Sequence, residues 1–350
     1  AAGTLVLGRV TRALGHLEHA TRETARKGVR RAAALDQRLT TAQLRALVAV
    51  ASAHNFSLAA RSIGISQPSL HRAARDLERL LELALFDRTS RGIVLTPAAE
   101  LLAQHAKLAF AELAQGYAEV AQLRGIDCGR IVVGSMPLPR THVLPAAING
   151  FTRDHPDVLV SVVDGPYADL LHGLRHGDID LLVGALRDPL PAADVTQERL
   201  FDDPLAVVAR SGHPLAGRAE VGLDELLGYP WVVPRPGTPT RDQFERLLAA
   251  HGERRPPGLV EASSLVLIRG LLLGSDRLTL ISSHQVRHEC SQGLLAALPF
   301  ADVGPSRPIG LTQRAEWKPT PTQQRFLACV RAAAALPEPP RAGRGYSNIE

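Results

Sequence analysis

Two rhythms of hydrophobic and polar positions divide the chain. Through the first third, apolar residues return every three or four positions, the repeat of one helix face. Beyond residue 128 they come in short runs or alternate, the repeat of strands. In "SQPSLHRAARDLERLL" (66–81), Leu70, Ala74, Leu77 and Leu81 fall on one stripe at about 100° per residue, with Arg72, Arg75 and Arg79 opposite. Pro68 does not break this helix. Ser66 serves as N-cap, and a proline in the first turn forfeits no helical hydrogen bond. The spacing predicts a helix with a core face and a cationic face.

Just upstream, "FSLAARSIGIS" predicts a short helix capped by Ser57 and closed at Gly64. "TAQLRALVAVASAH" predicts another, with Leu44, Leu47, Val48 and Ala51 inward. Ala60, Gly64 and Leu70 are spaced four and six apart, so two helices can cross at a small residue and turn at a glycine. That is a helix-turn-helix, whose second helix offers its first turns to the DNA major groove. Downstream, "LALFDRTSRGIVLTPAA" predicts two short strands around a turn at Thr89–Gly92, with Arg88 and Arg91 at the tip of a wing suited to phosphate or minor-groove contact.

From Pro97 to Leu123 no proline occurs, and Leu102, Ala106, Ala109, Leu113, Gly116, Val120 and Leu123 alternate steps of four and three. Such a heptad makes a seam for a second helix. Farther on, strands fit residues 130–135, 158–164 and 179–184, and helices fit 142–154 and 168–176. "PLAVVAR", "GYPWVVPRPG" and "RLTLISS" add strands of a second unit. Strand–helix–strand alternation predicts parallel sheets with helices on their faces.

Charge separates the two regions. Residues 1–96 hold 15 Arg and Lys against 7 Asp and Glu, and the remaining residues hold 25 against 28, so a polyanion suits the front alone. The chain's 350 residues, 45% hydrophobic, fit two or three domains. No run of 18 apolar residues exists, and "SSLVLIRGLLLG" is broken by Arg269, which excludes a simple apolar span. Cys128, Cys290 and Cys329 are odd in number and far apart, which points to a reducing compartment and to the cytoplasm.

The segment from "QLRALVAVASAHNFSLAARSIGISQPSL" to "LFDRTSRGIVLTPAAE" resembles the winged helix-turn-helix of LysR-type transcriptional regulators. The resemblance is close over residues 40–100 and follows the family layout to about residue 334. It implies a cytoplasmic, oligomeric DNA-binding regulator and not an enzyme: a winged helix-turn-helix head, a long connecting helix that dimerises, and a two-lobed α/β effector domain of the type 2 periplasmic-binding-protein kind. Ser66, Gln67, Pro68 and Ser69 would open the recognition helix. Gln67 and Arg72 would contact bases, with Ser57 and His71 nearby, and Arg75, Arg88 and Arg91 would contact phosphates. Two departures stand out: Glu82 and Ala99 replace glycines common in the family.

Ligands of such sheets bind beyond the carboxyl ends of strands, at helix N-termini. The candidates are Ser135 and Met136, Gly184 and Arg187, Thr238 and Thr240, and Ser263 and Ser264. The implied partners are operator DNA, a small and possibly anionic effector, a second copy through residues 97–126, giving a dimer or tetramer, and RNA polymerase. No cofactor or metal is implied. His284, His288 and Cys290 lack a fourth ligand nearby, and "VGSMP" lacks the second glycine of a nucleophile elbow.

The expected domains are a helical extension (1–38), the head (39–96), the connecting helix (97–126), and the effector domain (128–334). Within the last, lobe I takes 128–200 and 297–334, and lobe II 201–296, with crossings near 199–203 and 293–299. A disordered tail follows at 335–350. Offset by 96, Ala2, Leu5, Ala13 and Leu17 repeat Ala98, Leu101, Ala109 and Leu113, so the extension reads as the remnant of an upstream winged-helix unit. The rivals are a sensor module with a helical protein-interaction head and no DNA activity, and an α/β enzyme fused to a helix-turn-helix.

Overall fold

A computed structural model describes residues 2–26, 38–90, 92–250, 252 and 255–335. The expected tail at 335–350 apart from Ala335, residues 27–37 of the expected extension and Arg91 lie outside the described residues, as does the side chain of Arg88. The described residues form two compact units, one within 2–134, 154–181 and 316–324 and the other within 135–153, 182–315 and 325–335.

In the first unit, helix α1 (Ala2–Arg26) precedes α2 (Thr41–Ala53), α3 (Phe56–Ser62) and α4 (Gln67–Leu81). Strands β1 (Phe86–Thr89) and β2 (Gly92–Leu95) pair antiparallel, Phe86 opposite Leu95 and Thr89 opposite Gly92, which forms the predicted wing. The long α5 (Pro97–Gln122), capped by Thr96, follows. β3 (Gly129–Ser135), α6 (Val143–Asp154), β4 (Val158–Asp164), α7 (Tyr167–Arg175) and β5 (Leu181–Ala185) track the expected alternation within one or two residues at most ends.

Then come β6 (Val195–Asp203), β7 (Leu205–Arg210), α8 (Leu223–Leu226), β8 (Trp231–Val233), α9 (Pro239–Ala249), β9 (Val260–Glu261) and α10 (Leu265–Leu273). β10 (Leu278–Ser282), α11 (Arg287–Ser291), β11 (Leu295–Ala297), β12 (Arg307–Arg314) and α12 (Pro321–Ala334) complete the chain. One sheet of the second unit has the order β11-β7-β10-β8-β9. Its core gathers Trp231, Phe244, Val207 and Leu280. Elsewhere in this unit β12 lies between β5 and β6.

The sheets are mixed, which corrects the wholly parallel expectation. β8 runs parallel to β9 and β10, but β7 is antiparallel to β10 and β11, and β12 to β5 and β6. The antiparallel strands are those by which the chain leaves one sheet and returns without a crossover helix, so their directions oppose their neighbours. The chain passes between sheets at Pro204 and again over residues 298–306, the second later than expected because β11 still belongs to the β7 sheet. No described helix is long and apolar enough to cross a membrane.

Candidate nucleic-acid interface and ligand cavity

The head is built around α4. Leu70, Ala74, Leu77 and Leu81 are buried, as the stripe predicts. Leu70 packs with Ala46, Val50 and Ala59 of the preceding helices, and Leu77 and Leu81 pack with Leu47, Leu85 and Leu102. Each fully buried leucine contributes about 1.5–3 kcal/mol, so this stripe fixes the rotation of α4. The Ser66 hydroxyl accepts from the Ser69 amide at 3.3 Å, with Pro68 in the first turn. The turn before it closes on Gly64, whose φ of +70° only glycine adopts without strain.

Two local expectations are corrected. Asn55, not Ser57, caps α3: its side chain accepts from the Ser57 and Leu58 amides at 2.8 and 3.0 Å. In α2, Val48 and Ala51 are half-buried, whereas Ala46, Ala49 and Val50 join Leu44 and Leu47 inside, because α2 packs on both α3 and α5. Of the two departures, Ala99 is wholly buried in the first turn of α5, and Glu82 adopts the left-handed conformation (φ 54°, ψ 33°) that a glycine would otherwise supply.

On the outer side of α4, Ser66, Gln67, Pro68, Ser69 and Arg72 are all exposed. Freed from capping, the Ser57 hydroxyl donates to Gln67 Oε1 at 3.0 Å and so orients the Gln67 amide. Arg75 and Arg79 are also exposed but pair with Glu78 and Asp76 at 3.0 and 2.9 Å. Arg72 makes no ion pair among the described residues. The half-buried His71 ring stacks on Phe56 with centroids 4.0 Å apart. The structure therefore exposes Gln67 and Arg72 at the start of α4, brings the half-buried Ser57 of α3 against Gln67, and turns His71 against the head.

In the second unit an open cavity of about 130 Å³ lies between strand ends and helix starts. Met136, Arg187, Thr238, Thr240 and Ser263 line it together with Gln285, Arg307, Ile268, Ile281 and Ile309. Three of the eight sequence candidates stand apart from the lining. Ser135 is buried and donates to its neighbour's carbonyl at 3.0 Å, and Ser264 is exposed at the start of α10. Gly184 lies behind Met136, with whose side chain a Cβ would collide, so its smallness seats Met136 at the wall. Thr238 also caps α9, accepting from the Arg241 amide at 3.3 Å.

Arg307 is the residue that sequence reasoning missed. It opens β12, directly opposite the end of β6, and its guanidinium pairs with the fully buried carboxylate of Asp203. Arg307 also donates to the Thr240 hydroxyl at 2.6 Å, and its Nε is buried without an acceptor. Ser282 of β10 donates to the other Asp203 oxygen. Burial pushes the Asp203 carboxyl above the usual carboxylate range, against the opposing pull of Arg307 and Ser282. A ligand carboxylate entering here would meet a cation already committed to a buried anion.

The family model described as the lysR-family bacterial regulatory helix-turn-helix protein matches residues 41–100, and that of the LysR substrate binding domain matches residues 124–335. The HTH-type transcriptional regulator GalR of Pseudomonas putida is 36% identical over 289 residues, 83% of this chain and 72% of its own length. PcaQ of Agrobacterium fabrum, also an HTH-type transcriptional regulator, is 32% identical over 300 residues, 86% of this chain and 96% of its own. Among solved structures, an OxyR mutant from Corynebacterium glutamicum superposes with a TM-score of 0.50 at 30% identity, covering 84% of this chain and 92% of that one. A full-length OxyR variant from Pseudomonas aeruginosa reaches 0.62 at 24% identity, over 85% and 95% of the two chains, a likeness of fold.

Proposed function

The chain belongs to the LysR family of bacterial helix-turn-helix transcriptional regulators, and we propose that its α4 reads an operator while the cavity at Arg307 takes a small anionic effector. Gln67 and Arg72 contact base edges in this reading, Ser57 holds Gln67 in place, and Ser66, Ser69 and Arg75 border the phosphates. The observation that carries it is the exposed start of α4: five neighbouring polar, proline or basic residues stand outward on a helix whose other side is locked by four buried ones.

The effector is a compact carboxylate with an apolar body. Isoleucines line the cavity's sides, while Arg187 and Arg307 supply positive charge and threonine and serine hydroxyls supply hydrogen bonds. Because Arg307 and Asp203 sit on the two strands that link the sheets, a carboxylate drawing Arg307 from Asp203 acts at the crossing itself. A change in the pairing of two linking strands is a two-state element of the kind that ligands bias. Self-association and contact with RNA polymerase belong to the same reading.

Binding to duplexes enriched from a random pool, measured across a salt series, tests the DNA part. Several phosphate contacts require log affinity to fall steeply with log salt. A flat dependence would return the chain to the rival class of sensors with a protein-binding head.

A further inference from the structure

The heptad expected on α5 is only half realised. Leu102, Ala106, Ala109 and Gly116 are buried, but Leu113 and Leu123 are 45% and 55% exposed, while Glu112 and Glu119, which lie off the expected seam, are buried. What covers them is α1. Arg9 is buried and donates to Glu112 at 2.9 Å and to Glu119 at 2.6 and 3.0 Å, and Arg12 adds a bond to Glu112 at 2.9 Å. Ala13 packs with Ala109, and Ala20 with Leu102, so the two helices run antiparallel.

The offset of 96 gives this pairing a symmetry. Ala13 and Ala109 are counterparts under it, and they share one cluster at the middle of the pair. Arg9 and Glu112 have His105 and His16 as counterparts, and these rings also meet, with centroids 5.8 Å apart. Any antiparallel pair that crosses at two counterparts brings such positions together, so the two-fold relation rests on Ala13 meeting Ala109.

The same axis explains the exposed apolar residues. The head rests on Leu102 and Ala103 of α5, clustered with Leu47 and Leu77, and on Leu17 of α1, clustered with Leu44. The counterparts of those three positions are Val6, Leu7 and Leu113, which are 42%, 66% and 45% exposed, with Tyr117 at 77% one turn beyond Leu113. Nothing in α1's packing on α5 requires Val6 and Leu7 to be apolar. A second head placed by the axis would cover all four.

We propose that α1 and α5 are two copies of one connecting helix, paired within a single chain, and that Val6, Leu7, Leu113 and Tyr117 seat a second winged-helix head of the build of residues 39–96, joined to α1 as those residues are joined to α5. The seam of α5 is then filled in cis, and self-association proceeds through other surfaces.

The pairing is tested by placing cysteines at Ala13→Cys and Ala109→Cys in the full chain with the three native cysteines changed to serine, followed by oxidation. A cross-link within monomers is expected, and covalent dimers would overturn pairing in cis. The seat is tested by fusing a copy of residues 39–96 ahead of Ala1, in the register of Thr96 and Pro97. A protease-resistant added head, with amide exchange at residues 3–8 and 113–118 slowed at least about tenfold, is expected. Unchanged exchange, or an added head that stays protease-labile, would overturn the seat.

Discussion

Arg307 and Asp203 face each other across the first register position of the β12–β6 pair, and the guanidinium closes on a carboxylate that has no contact with solvent. The pair sits where the chain passes from one sheet to the other, and Arg307 also helps to line the cavity. Removing either partner of a buried ion pair leaves a charge stranded.

Binding of a carboxylate in the cavity should strengthen as pH falls. Burial raises the Asp203 pKa, so the carboxyl gains its proton above the usual carboxylate range and stops competing for Arg307. The ligand, with an ordinary pKa, is still ionised there. Thermal-shift titrations with benzoate should show this trend, benzamide should show no binding, and Asp203→Asn should tighten benzoate binding and flatten its pH dependence. A benzoate response independent of pH in the unaltered chain would contradict the exchange.

Gln67→Ala should cost about 1–3 kcal/mol in discrimination between a selected duplex and random DNA, the worth of one bidentate base contact. Ser57→Ala removes the bond that orients Gln67 and should produce part of the same loss. Competition binding at fixed salt reads both. Equal losses on the two DNAs would move Gln67 from base reading to backbone contact.

Glu82→Gly should stabilise the head. A left-handed backbone costs a residue with a Cβ about 1–2 kcal/mol, of which glycine's greater unfolded freedom returns about 0.4–1 kcal/mol. A net gain of roughly 0.5–1 kcal/mol follows, measurable as a rise in denaturant midpoint at constant slope.

Arg9→Met should destabilise the α1–α5 pair by about 3–5 kcal/mol, because it leaves the buried Glu119 without its cation and Glu112 with Arg12 alone. Replacing all three residues with apolar ones should recover most of that loss, as the penalty lies in the stranded carboxylates. Equilibrium unfolding of the single and triple variants separates the two effects.

What was legible in the sequence was local. The stripe on α4, the Ser66 cap, Pro68 in the first turn and the wing between Thr89 and Gly92 depend on neighbours within one helix or hairpin, and periodicity and capping chemistry report those. Asn55 was passed over because two cap-forming residues stand two apart and only the chain's path decides between them. Five of the eight sequence candidates line the cavity, because places at strand ends and helix starts are legible locally. Arg307 was not, since its partner is 104 positions away and meets it through strand register. The true course of the α5 seam was hidden for the same reason. Glutamates at 112 and 119 look like solvent-facing positions until an arginine more than a hundred residues earlier covers them.

The antiparallel contact of α1 with α5 also bears on behaviour at low concentration. Interfaces between separate molecules dissolve by mass action as a protein is diluted, whereas two helices on one polypeptide meet at an effective concentration fixed by the segment that tethers them. The Arg9-locked pair should therefore survive dilution, and its scaffold needs no encounter to assemble.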